Sequence, residues 1–141
     1  MIDNYFKEFV LDEEIQETLQ NIATKNGIKI IDVDDVKSNV PDTTWPSIKA
    51  IMMNFNFSTK VSYNFRLAHE LSHLLYGDTS LQDVYRFCEF GKRGEELLAH
   101  KNAVKMLMKI KQPTSVETFM NFYDVPSWLE EYVEAEYSLL S

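Results

Sequence analysis

The stretch Phe65 to Gly77, FRLAHELSHLLYG, places His69 and His73 four positions apart with Glu70 directly after the first, and the chain holds only three histidines in all. A helix advances about 100° per residue, so positions four apart lie within about 40° of one another and one turn up, close enough for two imidazoles to hold one ion. Glu70 points into an adjacent sector, where its carboxylate can hydrogen-bond a water on that ion without displacing it. A zinc ion held in this way lowers the pKa of its water toward about 7. Glu70 can then take the proton as the water attacks a carbonyl, and pass it to the leaving amine. Imidazole and oxygen donors with an open position favour zinc, although manganese or another divalent ion fits the same cage. The competing reading is an accidental pattern on a solvated helix, which a chain of this length meets at a rate on the order of a few in a thousand.

Two protein ligands are too few for catalytic zinc, which generally has three plus water. Glu95, Glu96 and His100 follow on a later helical stretch. Helical steps from Glu96 reach His100, Ala103, Leu107 and Ile110, a mostly apolar stripe, whereas steps from Glu95 reach Asn102 and Lys109, which reads as more exposed. Glu96 is the preferred third ligand. His100 remains open either as the ligand itself or as a hydrogen-bonding support for one. Glu95 is a further alternative, but its simpler reading is a solvated helix start that complements the dipole. Asp78 and Cys88 are remote alternatives, and Cys88 is expected to be a small buried residue. An oxyanion donor is chosen by type alone from Tyr63, Tyr76, Tyr85 and His100, each tyrosine being more simply core or surface filler. Arg66 suggests a salt bridge before it suggests a substrate contact. Trp45 and Trp128 are expected to anchor packing.

The elements that must position these groups are readable in part. Leu11, Ile15, Leu19 and Ile22 recur at helical spacing, with Asp12, Glu13 and Glu14 in the first turn and Gly27 beyond the end. Ile28 to Val33 reads as a short strand, Asp34 to Ser47 as a loop broken by Pro41 and Pro46, and Ile48 to Phe57 as a second strand. From about Ser62 the apolar spacing marks a half-buried helix that stops at Gly77 and carries both histidines. Asp78 to Arg93 is a long connection with mixed signals. Helices are expected at Gly94 to Lys111, Pro113 to Tyr123 and Pro126 to Leu139, the last with Pro126 suited to a first turn. The pattern is α+β, a small sheet with mostly helices after it.

At 141 residues, 45% of them apolar, the chain is expected to form one domain spanning 1–141. It has no run of about 18 apolar residues and no basic-then-apolar leader, and its lone cysteine fits a reducing compartment, so a cytoplasmic protein without membrane contact is expected. The formal charge of −8 repels a phosphate backbone, which argues against direct nucleic-acid binding and for a partner with a basic face.

Taken together, the strand from Ile48, the motif FRLAHELSHLL and the later EELLAHKNAVKMLM resemble the ImmA/IrrE family of small bacterial and phage metallopeptidases, with a looser likeness in FYDVPSWLEEYV. The resemblance implies a zincin-like helical core against a small sheet, zinc on His69, His73 and Glu96, and Glu70 as the base. It also implies an endopeptidase that cleaves a helix-turn-helix repressor of a phage or mobile element. Four positions depart from the family pattern. Ser72 replaces a frequent glycine, His100 stands where Asp or Asn is common, Asn102 replaces an aromatic residue, and Lys109 replaces a usual proline. Two other functions compete with this one. The first is a non-cleaving module that sequesters a regulator and uses zinc mainly for folding. The second is a metallohydrolase acting on a small amide.

Overall fold

A computed structural model describes residues 2–80 and 82–140, with side chains from residue 7 onward. Among these residues the elements in chain order are α1 (Ile2–Lys25), β1 (Lys29–Val33), β2 (Thr43–Trp45), β3 (Ala50–Asn54), α2 (Tyr63–Tyr76), β4 (Tyr85–Arg86), α3 (Gly94–Ile110), α4 (Val116–Tyr123) and α5 (Glu130–Leu140). Short 3-10 turns occupy Pro46–Ile48 and Ser127–Leu129. The architecture is α+β. No described helix is long and apolar enough to cross a membrane.

The sheet runs β1-β3-β2-β4, with β1 parallel to β3 and the other two pairings antiparallel. Its two inner members come from different kinds of sequence. In β3, Ala50, Ile51 and Met53 are buried, as an apolar run bounded by turns should be. Strand β2 lies inside the stretch that reads as a loop, and this is the main correction to the sequence expectation. Pro41 and Pro46 bracket it, and the residue before a proline favours extended backbone, as Trp45 adopts with φ −111° and ψ 101°. Three residues are too few to show alternation, so the prolines that suggested a loop in fact delimit a strand. Similarly, β4 gives two residues of the Asp78 to Arg93 connection a regular place at the sheet edge.

Helix α2 begins where Ser62 accepts a hydrogen bond from the Phe65 N–H at 3.2 Å. It is more deeply placed than a half-buried helix. Every residue from Asn64 to His73 is buried, because the sheet, α1, α3 and α4 all lie against it. Its buried polar groups consequently need internal partners. Asn64 Nδ2 donates to Asp12 Oδ1 at 2.8 Å, and Arg66 Nη1 donates to both Asp42 oxygens at 2.8 and 2.7 Å. The salt-bridge reading of Arg66 therefore holds. The first helix is longer than its periodic segment at both ends, and its stripe of Ile15, Leu19 and Ala23 enters the core beside Ile51, Met53, Phe65, Leu71, Val104, Leu107 and Leu129.

Candidate metal centre

The adjacent helices α2 and α3 bring together His69, His73 and Glu96, whose donor atoms all lie within 4.8 Å of one another. Nε2 of His69 is 3.2 Å from Glu96 Oε1, and Nε2 of His73 is 2.9 Å from Glu96 Oε2. Both histidines are fully buried, while the Glu96 side chain retains 23% exposure. The tertiary structure thus selects Glu96 from the three acidic and imidazole alternatives on α3. Gly91 makes room for it, since a Cβ there would come within 2.6 Å of Glu96 Cβ.

The hydrogen bonds behind the rings decide which nitrogen faces inward. His100 Nε2 lies 2.8 Å from the Cys88 carbonyl, which can only accept, so that nitrogen carries the proton. Burial, reinforced by the neighbouring His69 ring, lowers the His100 pKa to about 3 and keeps the ring neutral, which leaves Nδ1 as an acceptor. His69 Nδ1 faces that acceptor at 3.2 Å and must donate, so His69 Nε2 bears a lone pair. His73 Nδ1 lies 2.8 Å from Glu95 Oε2, and in the neutral ring this likewise turns the lone pair of Nε2 toward Glu96.

Lone pairs of two imidazoles therefore confront carboxylate oxygens at hydrogen-bond distance, and His73 Nε2 has no hydrogen-bond partner at all. Such an arrangement is repulsive without a positive charge between the donors. A divalent cation fits it, since imidazole nitrogen and carboxylate oxygen are common donors for such ions. Burial opposes ionisation of the Glu96 carboxyl, but protons on the facing nitrogens of His69 and His73 would outweigh that and bring its pKa down to about 2, and a cation in place of those protons would favour the anion in the same way. For His69, burial is the leading cause of a lowered pKa, which keeps the lone pair available.

Glu70 is fully buried, and its two oxygens have separate surroundings. Oε1 accepts the Thr44 hydroxyl at 2.8 Å, whereas Oε2 lies 3.8 Å from His69 Nε2 with no hydrogen-bond partner. Burial pushes its carboxyl well above the ordinary range, only partly countered by the Thr44 bond. Thr44 pairs across the sheet with Tyr85. Tyr85 in turn stacks on His73, with centroids 4.2 Å apart and planes 10° from parallel. One cross-strand pair thus meets two α2 residues three positions apart, Glu70 and His73.

Other sequence expectations come out differently. Glu95 is no solvated helix start: its side chain is 9% exposed and bonded to His73. Cys88 is exposed rather than buried, and its contribution is the carbonyl that orients His100. Tyr63 stacks on Phe55 and gives its hydroxyl to Asp32 on β1, at the sheet edge opposite β4, so it is committed away from the donors. Tyr85 does sit at the centre, but its hydroxyl donates to the Asp78 carbonyl at 2.7 Å and is not free to meet an oxyanion. Tyr76 is 59% exposed, and Asp78 bonds locally to Ser80. His100 supports His69 instead of joining the donor group. Trp128 packs edge-on against His100 and donates to the Glu89 carbonyl at 2.9 Å, the anchoring role expected of it.

Thr44 carries no signal in a single sequence, because nothing marks its stretch as a strand. Glu95 carries no such signal either, because its contact with His73 joins residues 22 positions apart on two helices. Comparisons with known proteins add no name to this geometry: no family model, no curated protein and no solved structure matches the chain.

Proposed function

We propose that this chain is a zinc-dependent endopeptidase of the ImmA/IrrE type with a zincin-like core, in which His69, His73 and Glu96 hold the ion and Glu70 is the general base. The observation that carries this reading is the unpartnered, buried Oε2 of Glu70 beside the inward-facing nitrogen of His69. A proton acceptor needs a pKa near its working pH, and burial moves the Glu70 carboxyl in that direction. A bound zinc ion would supply Lewis acidity toward a substrate carbonyl and make a water at the site more acidic. Glu70 Oε2 removes the proton from the attacking water as the new C–O bond forms. The same oxygen returns that proton to the amine nitrogen as the C–N bond breaks.

For the substrate we propose a helix-turn-helix repressor of a phage or mobile element. Its basic DNA-binding face would be drawn to a chain of formal charge −8, an attraction that weakens as salt is added. The test is incubation of zinc-loaded protein with the repressor encoded beside it, read by mass spectrometry in parallel with Glu70→Gln. Fragments are expected with the wild type and none with the variant. Cleavage by Glu70→Gln at the wild-type rate removes Glu70 from the mechanism.

A second reading takes up one observation, the complete burial of His69, His73 and Glu70. Structural metal sites are closed, whereas catalytic ones keep an open position. On this reading the chain is a zinc-stabilised module that sequesters a regulator without cutting it. Stoichiometric binding of an intact partner, equal for wild type and Glu70→Gln, is its signature.

A further inference from the structure

We propose that Glu95 is a positioning residue of the metal centre, a carboxylate clamp that orients His73 and ties it to the chain segment leaving α2. This inference rests on the metal reading of His69, His73 and Glu96. It assigns to the neighbouring glutamate a task that motif spacing does not specify.

Both oxygens of Glu95 are used, each by a different donor. Oε2 accepts from His73 Nδ1 at 2.8 Å, and Oε1 accepts from the Asp78 backbone N–H at 3.0 Å. The Glu95 side chain is 9% exposed against 23% for Glu96, so the residue that is not a ligand is the more deeply held of the two. Gly77 is shaped around it. A Cβ at that position would stand 2.1 Å from Glu95 Oε2 and 2.7 Å from the His73 carbonyl, so the carboxylate occupies the space that any side chain would need. Gly77 ends α2 as expected, but with φ −84° it needs no left-handed backbone, and its requirement for glycine is one of space.

The clamp closes through Tyr85. Its hydroxyl donates to the Asp78 carbonyl at 2.7 Å while its ring lies flat on His73. Asp78 is therefore held at its N–H by Glu95 and at its carbonyl by Tyr85, and both holders also touch His73. Glu95 acts in the plane of the imidazole and Tyr85 acts perpendicular to it. Together they restrain both rotation and tilt of the ring that presents Nε2.

The two histidine arms differ in consequence. His69 is backed by the neutral ring of His100, which ends on a peptide carbonyl, and His73 is backed by a carboxylate. A carboxylate behind a ligating histidine fixes its tautomer and raises its basicity, and loss of such a partner typically costs 10–100-fold in metal affinity. Glu95→Gln tests the clamp because a carboxamide has one acceptor oxygen for two donors. Whichever way it flips, an N–H group faces either His73 Nδ1–H or the Asp78 N–H.

The experiment measures the zinc affinity of wild type, Glu95→Gln and Tyr85→Phe by chelator competition, with nitrogen NMR of the His73 ring in metal-free protein. Glu95→Gln is expected to weaken zinc binding about 10–100-fold and to shift His73 from the Nδ1–H tautomer toward Nε2–H. Tyr85→Phe keeps the stacked ring but frees the Asp78 carbonyl, so it should weaken zinc binding in the same direction by a smaller factor. A purely structural role would lower the melting temperature without moving the tautomer. If wild type binds zinc and both variants bind it equally well with an unchanged His73 tautomer, the clamp is overturned while the metal reading stands. If wild type itself binds no zinc, the metal reading fails and takes the role of Glu95 with it.

Discussion

Thr44 donates its hydroxyl hydrogen to Glu70 Oε1 at 2.8 Å, and this bond decides which oxygen of the carboxylate turns toward His69. A strand residue thereby orients a helix residue 26 positions away in the chain. The arrangement is specific enough to predict what its loss does.

Replacing Thr44 by valine keeps the shape but removes the donor, leaving a buried oxygen unsatisfied. A stability loss of about 1–3 kcal/mol is expected. Hydrolysis, where present, should fall through kcat because Oε2 is no longer held in place. Urea denaturation measures the first and steady-state kinetics the second. Unchanged values of both would mean that Glu70 is oriented by something other than Thr44.

Glu70→Gln should stabilise the metal-free protein at neutral pH. Burial raises the folded-state pKa of Glu70 above the ordinary value of 4.5. Below that value both folded and unfolded chains are protonated there, and Glu70 costs nothing. As the pH rises the unfolded chain ionises first, and folding stability is progressively lost until Glu70 ionises in the folded state too. The variant lacks this loss, so its advantage over wild type should be absent in acid and grow toward neutrality. Urea titrations in chelator across pH read the difference directly. A difference that does not vary with pH contradicts the assignment. Chelator matters, because a cation at the site would favour the charged carboxylate.

Zinc at about one hundred times its dissociation constant should add about 2.7 kcal/mol to folding stability. For a chain of this length that raises the melting temperature by roughly 5–10 °C. His73→Ala and Glu96→Ala should each abolish the increase. Retention of the full shift by both variants would place the ion somewhere other than between α2 and α3.

The Asp42–Arg66 pair carries a fourth prediction. Its atoms are 2.7 Å apart, and Asp42 also accepts the Asn54 N–H at 2.9 Å. Asp42→Ala strands a guanidinium in the interior and should cost about 3–5 kcal/mol. The double variant Asp42→Ala, Arg66→Met removes the charge along with its partner and should cost less than Asp42→Ala alone. Denaturant melts of the two variants decide this. A double variant that is the less stable of the two shows that the stranded charge is not what makes Asp42→Ala costly.

The sequence alone determined the helix that carries the motif. Spacing of Phe65, Leu67, Leu71, Leu74 and Leu75 marks α2, Ser62 and Gly77 bound it, and helical geometry then requires His69 and His73 to share a face. The apolar stripe behind Glu96 favours that residue as the partner of the two histidines, and the structure brings the three together. These inferences succeed because they depend on contacts within one helix, where position follows from residue count.

Only the tertiary structure decided what stands behind those residues. Strand β2 is three residues long and gains its identity from pairing with β3 and β4, so Thr44 could not be connected to Glu70 by any local rule. Glu95 looked solvated because helical periodicity describes the residues along one face of α3 and says nothing about what folds over its first turn. There the end of α2 passes across with Gly77 at closest approach, and a side chain that reads as solvated becomes a largely covered acceptor. Burial, tautomer and pKa are set by neighbours distant in the chain, and residue count alone does not specify them.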